Sequence, residues 1–436
     1  MPAKKASKTG EQLRSRAVIK KGVQLNVPKP TTFVVGDELE YRIQRLMTFM
    51  GYFSRRARPI YTVGRLDQAT DLDVFSIRWK EPFRRELVIA ECKSGSSRPL
   101  DRVFWLAGVR QFVSANEAFL VRHGTKWNIK DFAKQCGVNV IDSHRIEELE
   151  KNYGIEKDDW PGLSDIQFAK ATAGEWNSAL KTDSNIWELY WTLCSEIQFD
   201  EPFAIINYLL SNLRLLTARN PTMPQNSFYK FLIAEALCLV ALSAMRLAEY
   251  SFDLSPKDRD GFTKKGLSYG DFDPEYADRI LRSAHNLASQ AVMHYTNNKV
   301  EIDPSLFEMP VPPGAGEISM LVNSLVSNYP NSLRVVQVCD ILLSEMFVKQ
   351  GRPRGLLRRI YPCVDLKPVF DLVQNYLRLM VNANACPSYV LESISLTNAT
   401  ERDSAKRPGA STPTSLEIDK NTAVRTGKEP DGKNKE

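Results

Sequence analysis

The sequence contains few histidines, and its cysteines are not spaced as they are in zinc sites or disulfide frameworks. It has only 4 histidines, none in an HxxH or HExxH spacing, and its 7 cysteines are scattered without a CxxC pair. This pattern argues against a zinc site and indicates free thiols packed in cores. The metal ligands that remain are carboxylates, which favour a hard ion, Mg²⁺ or Mn²⁺.

Long hydrophobic runs are also missing. The longest apolar stretch, Phe231 to Met245, contains Glu235 and is shorter than the roughly 20 residues that cross a bilayer. It therefore predicts a buried helix and not a membrane span. The N-terminus is basic and polar with no apolar run after it, so no signal peptide is expected. We expect a cytoplasmic protein without a membrane segment.

Positive charge is concentrated at the N-terminus. The net charge is +6, and the first 30 residues hold eight Lys or Arg against one Glu, so the remainder is close to neutral. A basic tail can bind nucleic-acid phosphates through counterion release, and it can equally be a solvated tail. Residues 1–30 and the Thr, Ser, Lys, Pro and Gly-rich residues 398–436 are both predicted to be disordered.

Two regions with different patterns lie between the tails. Residues 31–153 predict an α/β domain in the order α-β-β-β-α-β-α-β, with a mixed sheet covered by helices on both faces. Residues 154–397 predict an all-α region, with Pro and Gly-rich linkers at 220–226, 255–273 and 303–316. Its predicted helices are Asn185–Ile197, Pro202–Ala218, Ser227–Tyr250, Pro274–Asn298, Glu317–Val326, Leu333–Lys349 and Pro368–Asn384.

The stretch from Thr70 to Gly95 predicts a β-hairpin that carries charged side chains within apolar strands. If the turn is centred on the single proline between the strands, Asp73 lies opposite Glu91 and Asp71 lies opposite Lys93. Directly opposed side chains have Cβ atoms about 5 Å apart. The hairpin therefore predicts that several charged groups converge at one end of the sheet.

Alternation along the second strand puts Glu91 and Lys93 on one face of the sheet and Cys92 on the other. A further acid comes from the helix predicted at Gly36–Met50, where Glu40 lies at the border of the apolar stripe. This position lets Glu40 lean over the sheet. A slip of one residue would send one strand's charges to the opposite face, so the convergence depends on the register.

This arrangement, with Asp73 followed by Glu91-Cys92-Lys93 on the adjacent strand and Glu40 on a preceding helix, resembles the PD-(D/E)XK nuclease superfamily. The segments GDELEYRIQRLMTFMGYF and FAKQCGVNVID look most like restriction-endonuclease-like catalytic domains of the type IV kind. The resemblance covers Gly36 to Glu150, about a third of the chain. It implies a restriction-endonuclease-like fold for this part and says nothing about the rest.

The resemblance also implies roles for the charged residues. In the family the aspartate and the glutamate of the motif bind Mg²⁺, which would fall on Asp73 and Glu91. Lys93 would orient or activate the attacking water, and Glu40 would support the metal. Asp71 is a second choice of ligand, and Asp73 is preferred because it lies opposite Glu91. Leu72 stands where the motif's name has proline, a common departure.

The triplet alone is not specific, because Asp365-Leu366-Lys367 and Asp431-Gly432-Lys433 have the same spacing. Only the triplet at Glu91 follows an apolar strand and pairs with a strand that carries acids. The alternative for it is a structural salt bridge of Lys93 with Asp71 or Glu91. The nuclease interpretation is favoured because clustered charges in a buried hairpin would be costly without an ion.

A second basic segment spans residues 349–359. Its cations Arg352, Arg354, Arg358 and Arg359 suit nucleic-acid backbone phosphates. A solvated connection between helices explains the segment equally well.

Together these observations predict a Mg²⁺- or Mn²⁺-dependent phosphodiesterase, a DNA endonuclease of restriction or defence, whose helical region selects substrate or partner. A carboxylate-held ion would neutralise the phosphate and activate water. One alternative is a nucleic-acid-binding or assembly protein on a nuclease scaffold, such as a sensor that works with other defence proteins. Another is a nuclease that acts on RNA. Cleavage of both strands would suggest a homodimer.

Overall fold

The computed structural model describes residues 37–61, 68–93, 98–195, 201–270, 274–296, 302–307, 309–353 and 355–395. The tails predicted at 1–30 and 398–436, the triplet at Asp431 and the side chain of Arg354 lie outside these residues. The described residues up to Ser395 form one compact unit.

A five-stranded mixed sheet forms the N-terminal part. Its strands follow one another across the sheet in chain order, β1 to β5. The first three pair antiparallel, and β4 and β5 continue the sheet in parallel pairing with β3 and β4. The strands are β1 (Phe53–Tyr61), β2 (Gln68–Lys80), β3 (Arg84–Lys93), β4 (Glu117–Arg122) and β5 (Asn139–Ile141). The predicted mixed sheet is therefore confirmed.

Helices follow the predicted order around this sheet. They are α1 (Asp37–Phe49), α2 (Pro99–Phe112), α3 (Trp127–Gln135) and, directly after the last strand, α4 (Ser143–Asn152). One face of the sheet packs against α1 through Ile43 and Met47, and the other packs on Val103 and Leu106 of α2. Both faces are thus covered, because the central strands are apolar on both sides.

The rest of the described chain is helical. The helices are α5 (Ile166–Thr182), α6 (Ser184–Ser195), α7 (Pro202–Arg219), α8 (Ser227–Tyr250), α9 (Pro256–Tyr269), α10 (Pro274–Thr296), α11 (Ala315–Ser327), α12 (Val335–Leu342), α13 (Leu356–Ile360), α14 (Lys367–Asn382) and α15 (Ser388–Ser395). A π-helical segment, Leu343–Val348, continues α12 without a break. The predicted α/β layout followed by a helical region agrees with this architecture.

The linker predicted at 255–273 was wrong, because most of it is helix α9. Ser255 caps the helix by accepting a hydrogen bond from the backbone of Asp258, and a proline opens its first turn. Its Gly266 is a packing residue, since a Cβ there would lie 2.1 Å from the Phe203 ring. The glycine that suggested a linker therefore allows two helices to approach closely.

Helix α8 is the apolar centre of the helical part. It is the one helix among the described residues that is long and apolar enough to cross a membrane, yet its most apolar window is 100% buried inside the protein. Burial of this kind is what the core helix of a soluble protein shows. The sequence-based prediction of a buried helix is confirmed.

A buried ion cluster joins the sheet to the helices. The guanidinium of Arg55 on β1 donates to Glu235 of α8, with the closest N–O distance 2.7 Å, and to Asp340 of α12 at 2.6 Å. Arg58 donates to the same Glu235 carboxylate at 2.6 Å and to the Leu193 carbonyl at 3.1 Å. Burial raises the pKa of Glu235, but the two guanidinium groups outweigh it and hold the pKa below its usual value. Glu235 is therefore a charged partner within the apolar helix.

The strand that carries this cluster is irregular at Ala57, which has a φ of 49°. Arg55 and Arg58 are an odd number of residues apart, yet both bind Glu235. The alternation of side chains therefore breaks between them. Alternation breaks on the neighbouring strand too, since Leu72 packs in the cluster that contains Phe75, whereas Val74, two residues later, packs on the opposite face.

We predict that Arg55→Met will destabilise the fold by about 3–5 kcal/mol, because it leaves the Glu235 and Asp340 carboxylates buried without their main partner. Urea unfolding followed by circular dichroism measures this loss. The control is Arg145→Met, which removes a surface pair whose side chains are 53% and 47% exposed and should change stability by less than about 0.5 kcal/mol. Equal effects of the two variants would contradict a stabilising role for the cluster.

Candidate functional site

From Val74 to Lys80 the hairpin between β2 and β3 has the register that the sequence predicts, and the predicted pairs of Asp73 with Glu91 and of Asp71 with Lys93 lie beyond this paired range. Val74 pairs with Ala90, Ile77 with Leu87 and so on to Lys80 with Arg84. The turn between the strands contains the expected proline. Cys92 packs with the face covered by α1, as the alternation predicts. The register predicted for the hairpin is therefore confirmed over this range.

The end of this hairpin brings two carboxylates onto one ammonium group. Lys93 Nζ lies 3.2 Å from Asp73 Oδ2 and 2.9 Å from Glu91 Oε1. Asp73 Oδ2 also accepts a hydrogen bond from the backbone N–H of Cys92, at 2.6 Å. Asp73 is 7% exposed and Glu91 2% exposed, whereas Asp71 is exposed. Three of the predicted site residues thus meet at one point.

Glu40 lies beside a different cation. Its carboxylate is 3.1 Å from Arg56 Nη1, and the Arg56 guanidinium stacks on the Tyr41 ring at 3.4 Å. Arg56 pairs with Val74 across β1 and β2, and Val74 packs on the face covered by α1. The structure therefore pairs Glu40 with Arg56 on the α1 side of the sheet.

Arg102 joins the site from α2, and the sequence reasoning missed it. Its Nη1 lies 3.4 Å from Glu91 Oε1. Nothing in the local pattern marks this residue, because its role depends on where α2 crosses the sheet. With Arg102 included, two carboxylates face two cations.

Burial shifts the pKa values of both carboxyl groups upward. For Glu91 the burial and the nearby Asp73 charge outweigh Lys93 and raise the pKa to about 7. For Asp73 burial is again the largest cause, opposed by Lys93, and the pKa is raised. Structural ion pairs usually lower the pKa of a carboxyl group. A carboxyl pKa raised to near neutrality is therefore more typical of functional sites.

Lys93 remains a cation in this setting. Burial alone would lower its pKa, but Asp73 and Glu91 outweigh that effect and raise the pKa above the usual value. The group is therefore protonated at neutral pH. It can donate hydrogen bonds and stabilise negative charge, and it has no free electron pair with which to accept a proton.

The donor set fits a hard divalent ion that keeps water ligands. The part of the chain that the structure describes holds no cluster of three or more His, Cys, Asp or Glu side chains arranged for a metal. Mg²⁺ is commonly bound through one or two carboxylates, with waters and substrate phosphate completing the shell. Asp73 and Glu91, which already converge on one cation, are such a pair.

The other predicted motifs have structural roles or lie apart. Asp365 of the second triplet accepts a hydrogen bond from the backbone N–H of Lys367, the first residue of α14, at 3.0 Å. In the basic segment, Arg359 makes two bonds of 2.6 Å to Asp159, whereas Arg352 and Arg358 are exposed. Arg359 is therefore engaged in an ion pair within the protein.

Comparison with protein-family models, with curated proteins and with solved structures found no match for this chain.

We predict that metal-free protein will lose stability as the pH rises toward neutrality. Folded Glu91 keeps its proton up to about pH 7, whereas an unfolded glutamate loses it near pH 4.3. The folded state binds more protons between these values, so this group's contribution is largest at low pH and falls as the pH rises. Glu91→Gln removes the titrating group and should lack this trend.

Urea unfolding with EDTA, from about pH 5 to about pH 8, tests this prediction. Relative to the variant, wild type should lose on the order of 3 kcal/mol across the range. Parallel curves for the two proteins would show that the pKa of Glu91 is not raised.

Proposed function

We propose that this chain is a Mg²⁺-dependent nuclease, with DNA as the expected substrate, that belongs to the PD-(D/E)XK superfamily. The observation that carries the proposal is the convergence of the Asp73 and Glu91 carboxylates on Lys93 at the end of a paired hairpin. The confirmed register supports it, because a slip of one residue would have separated these groups.

Asp73 and Glu91 would hold the metal. When bound, a divalent ion supplies neutralisation of the phosphate charge and lowers the pKa of water. The backbone N–H of Cys92 holds Asp73 in place. Burial of both carboxylates keeps competing water away, so their attraction for a cation is stronger than at the surface.

Lys93 would stabilise the charge that develops on the phosphate. It is protonated at neutral pH, since both carboxylates raise its pKa. A fixed cation next to the scissile phosphate lowers the energy of the transition state more than that of the substrate. In this role Lys93 acts as an electrostatic group and orients water by donating a hydrogen bond.

The remaining features are assigned as part of the same proposal. The enzyme would act in the cytoplasm, in restriction or defence, and the helical region from α5 onward would select the substrate or a protein partner. The buried cluster at Arg55 would hold that region against the sheet. Cutting both strands of a duplex would require a second active site, which a homodimer would supply.

A non-catalytic role has one observation in its favour. Lys93 and Arg102 already balance the two carboxylates, so the four charges can exist as a salt-bridge network without an ion. The protein would then bind nucleic acid or assemble with partners on a nuclease scaffold. Metal binding and cleavage by site variants separate the two functions.

We expect wild type to cut nucleic acid with Mg²⁺ or Mn²⁺, and Glu91→Gln, Asp73→Asn and Lys93→Ala each to lose at least about a hundredfold in rate. The substrates are linear, circular, methylated and single-stranded DNA, together with RNA. Circular dichroism shows whether each variant is folded.

Lys367→Ala is the matched control for this assay, because its triplet has the same spacing as the triplet at Glu91. The Asp365 carboxylate of this triplet accepts a hydrogen bond from the backbone N–H of Lys367. The variant should cut like wild type. Failure of wild type to cut any substrate, or full activity of Glu91→Gln, would reject the nuclease assignment.

Metal binding provides a prediction that needs no turnover. Mg²⁺ requires the ionised Glu91 carboxylate, so its affinity should fall about tenfold per pH unit below the pKa of about 7. Thermal unfolding at about pH 8 should show a rise in Tm with Mg²⁺, and the rise should be small at about pH 6. The variant Glu91→Gln should show none at either pH, whereas a Mg²⁺-dependent rise in that variant would place the ion elsewhere.

A further inference from the structure

A surface cavity lies directly beside the candidate site, on the first turns of α2. It has a volume of about 350 Å³ and is lined by Arg98, Asp101, Arg102 and Trp105. Arg102 also lies 3.4 Å from Glu91 Oε1. The cavity is therefore adjacent to the carboxylate pair, because Arg102 lines the cavity and also contacts Glu91.

The lining combines a cationic edge with a flat aromatic wall. Arg98 is exposed and Arg102 is partly exposed, with its guanidinium 5.9 Å from the centre of the Trp105 ring. Trp105 is half-buried and packs against the apolar core. Asp101 is the one acidic group of the lining, so the two arginines leave the cavity with a net positive charge.

This combination has the chemistry that recognises a nucleotide. Arginines bind phosphate oxygens through several parallel N–H donors. A tryptophan face stacks on a base regardless of its identity, and stacking platforms of this kind are typical of single-strand binding. A cavity of about 350 Å³ falls in the size range of small-molecule and nucleotide sites.

We propose that this cavity binds an unpaired nucleotide of the nucleic-acid strand next to the scissile phosphate. Arg98 and Arg102 hold its phosphate, and Trp105 stacks on its base. Bases inside a duplex have both faces covered by their neighbours, so only a single-stranded or unstacked base can lie against Trp105. The inference rests on the proposed nuclease function and narrows its substrate to strands with unpaired bases.

The salt bridge of Arg102 gives the cavity a link to metal binding. In the metal-free state Arg102 helps neutralise Glu91. Asp73 and Glu91 would hold a divalent ion, which would take over that neutralisation and leave Arg102 available to a phosphate. The metal and the nucleotide should therefore bind cooperatively.

Fluorescence anisotropy with labelled oligothymidylate, oligouridylate and a blunt duplex of the same length tests the proposal. The protein is the full chain, and EDTA prevents cleavage. We expect both single strands to bind more tightly than the duplex. Trp105→Ala should weaken single-strand binding about tenfold and Trp105→Phe less than about threefold, because a phenyl ring still stacks. Neither change should alter duplex binding.

Two variants on the same helix serve as controls. Phe104 is 62% exposed and is not part of the cavity lining, so Phe104→Ala should bind like wild type. Arg98 is exposed, so Arg98→Gln should fold and still weaken single-strand binding severalfold. Asp101→Asn removes the acidic group and should strengthen it.

Several results would overturn the proposal. These are equal binding by Trp105→Ala and wild type, an equal loss in Phe104→Ala, or tighter binding of the duplex than of the single strands. Whichever single strand binds more tightly identifies DNA or RNA as the source of the nucleotide.

Failure of this proposal is distinguishable from failure of the nuclease assignment. If the wild type binds single strands through Trp105 but never cuts them, the nuclease assignment is rejected and the nucleotide site stands. If the wild type cuts every substrate and Trp105→Ala cuts at the same rates, the nucleotide site is rejected and the nuclease assignment stands.

Discussion

The salt bridges of Arg55 to Glu235 and Asp340 are the interaction on which the geometry of the sheet depends. These charges are buried, so each of them requires its partners at hydrogen-bond distance. The same glutamate also binds Arg58, which forces two residues an odd number of positions apart onto one side of the strand. The break in alternation at Ala57 lets both arginines reach this carboxylate. Arg56 pairs with Val74 of β2, and Arg58 pairs with Leu72. Asp73 lies between these two partners, directly beside the break in β1.

The charges at the end of the hairpin can be balanced in two ways, by the protein's own cations and protons or, under the proposed function, by a bound divalent ion. Without a metal, Lys93 and Arg102 neutralise two buried carboxylates, and the raised pKa of Glu91 allows a proton to replace one of the charges. Under the proposed function, a divalent ion would give the carboxylates a stronger partner and would leave both cations available to a phosphate. Under the proposed function, the cations that neutralise the carboxylates would therefore also be the groups that meet the substrate.

Much of the fold could be predicted because its signals are local. The order of strands and helices in the N-terminal part, the hairpin register and the bounds of α8 all follow from hydrophobic periodicity and one turn proline. Asp73, Glu91 and Lys93 could be brought together from that register alone. The missing pieces are long-range. Arg55 meets residues 180 and 285 positions away, and no local pattern encodes such contacts. Helix α9 was missed because a glycine that allows close packing looks like a glycine that allows a turn.

The partner of Glu40 could not be predicted from the sequence. Its position at the border of an apolar stripe correctly places it over the sheet, but helical geometry does not say which neighbour it meets. Arg56 on β1 pairs with it, and Arg102 from α2 pairs with Glu91 in the site. Both outcomes depend on how a helix crosses the sheet, and this is set by packing of the core. The pattern of the strands therefore identifies the two acids and the lysine that meet at the end of the hairpin, whereas the charged groups that pair with Glu40 and Glu91 depend on how the helices pack beside the sheet.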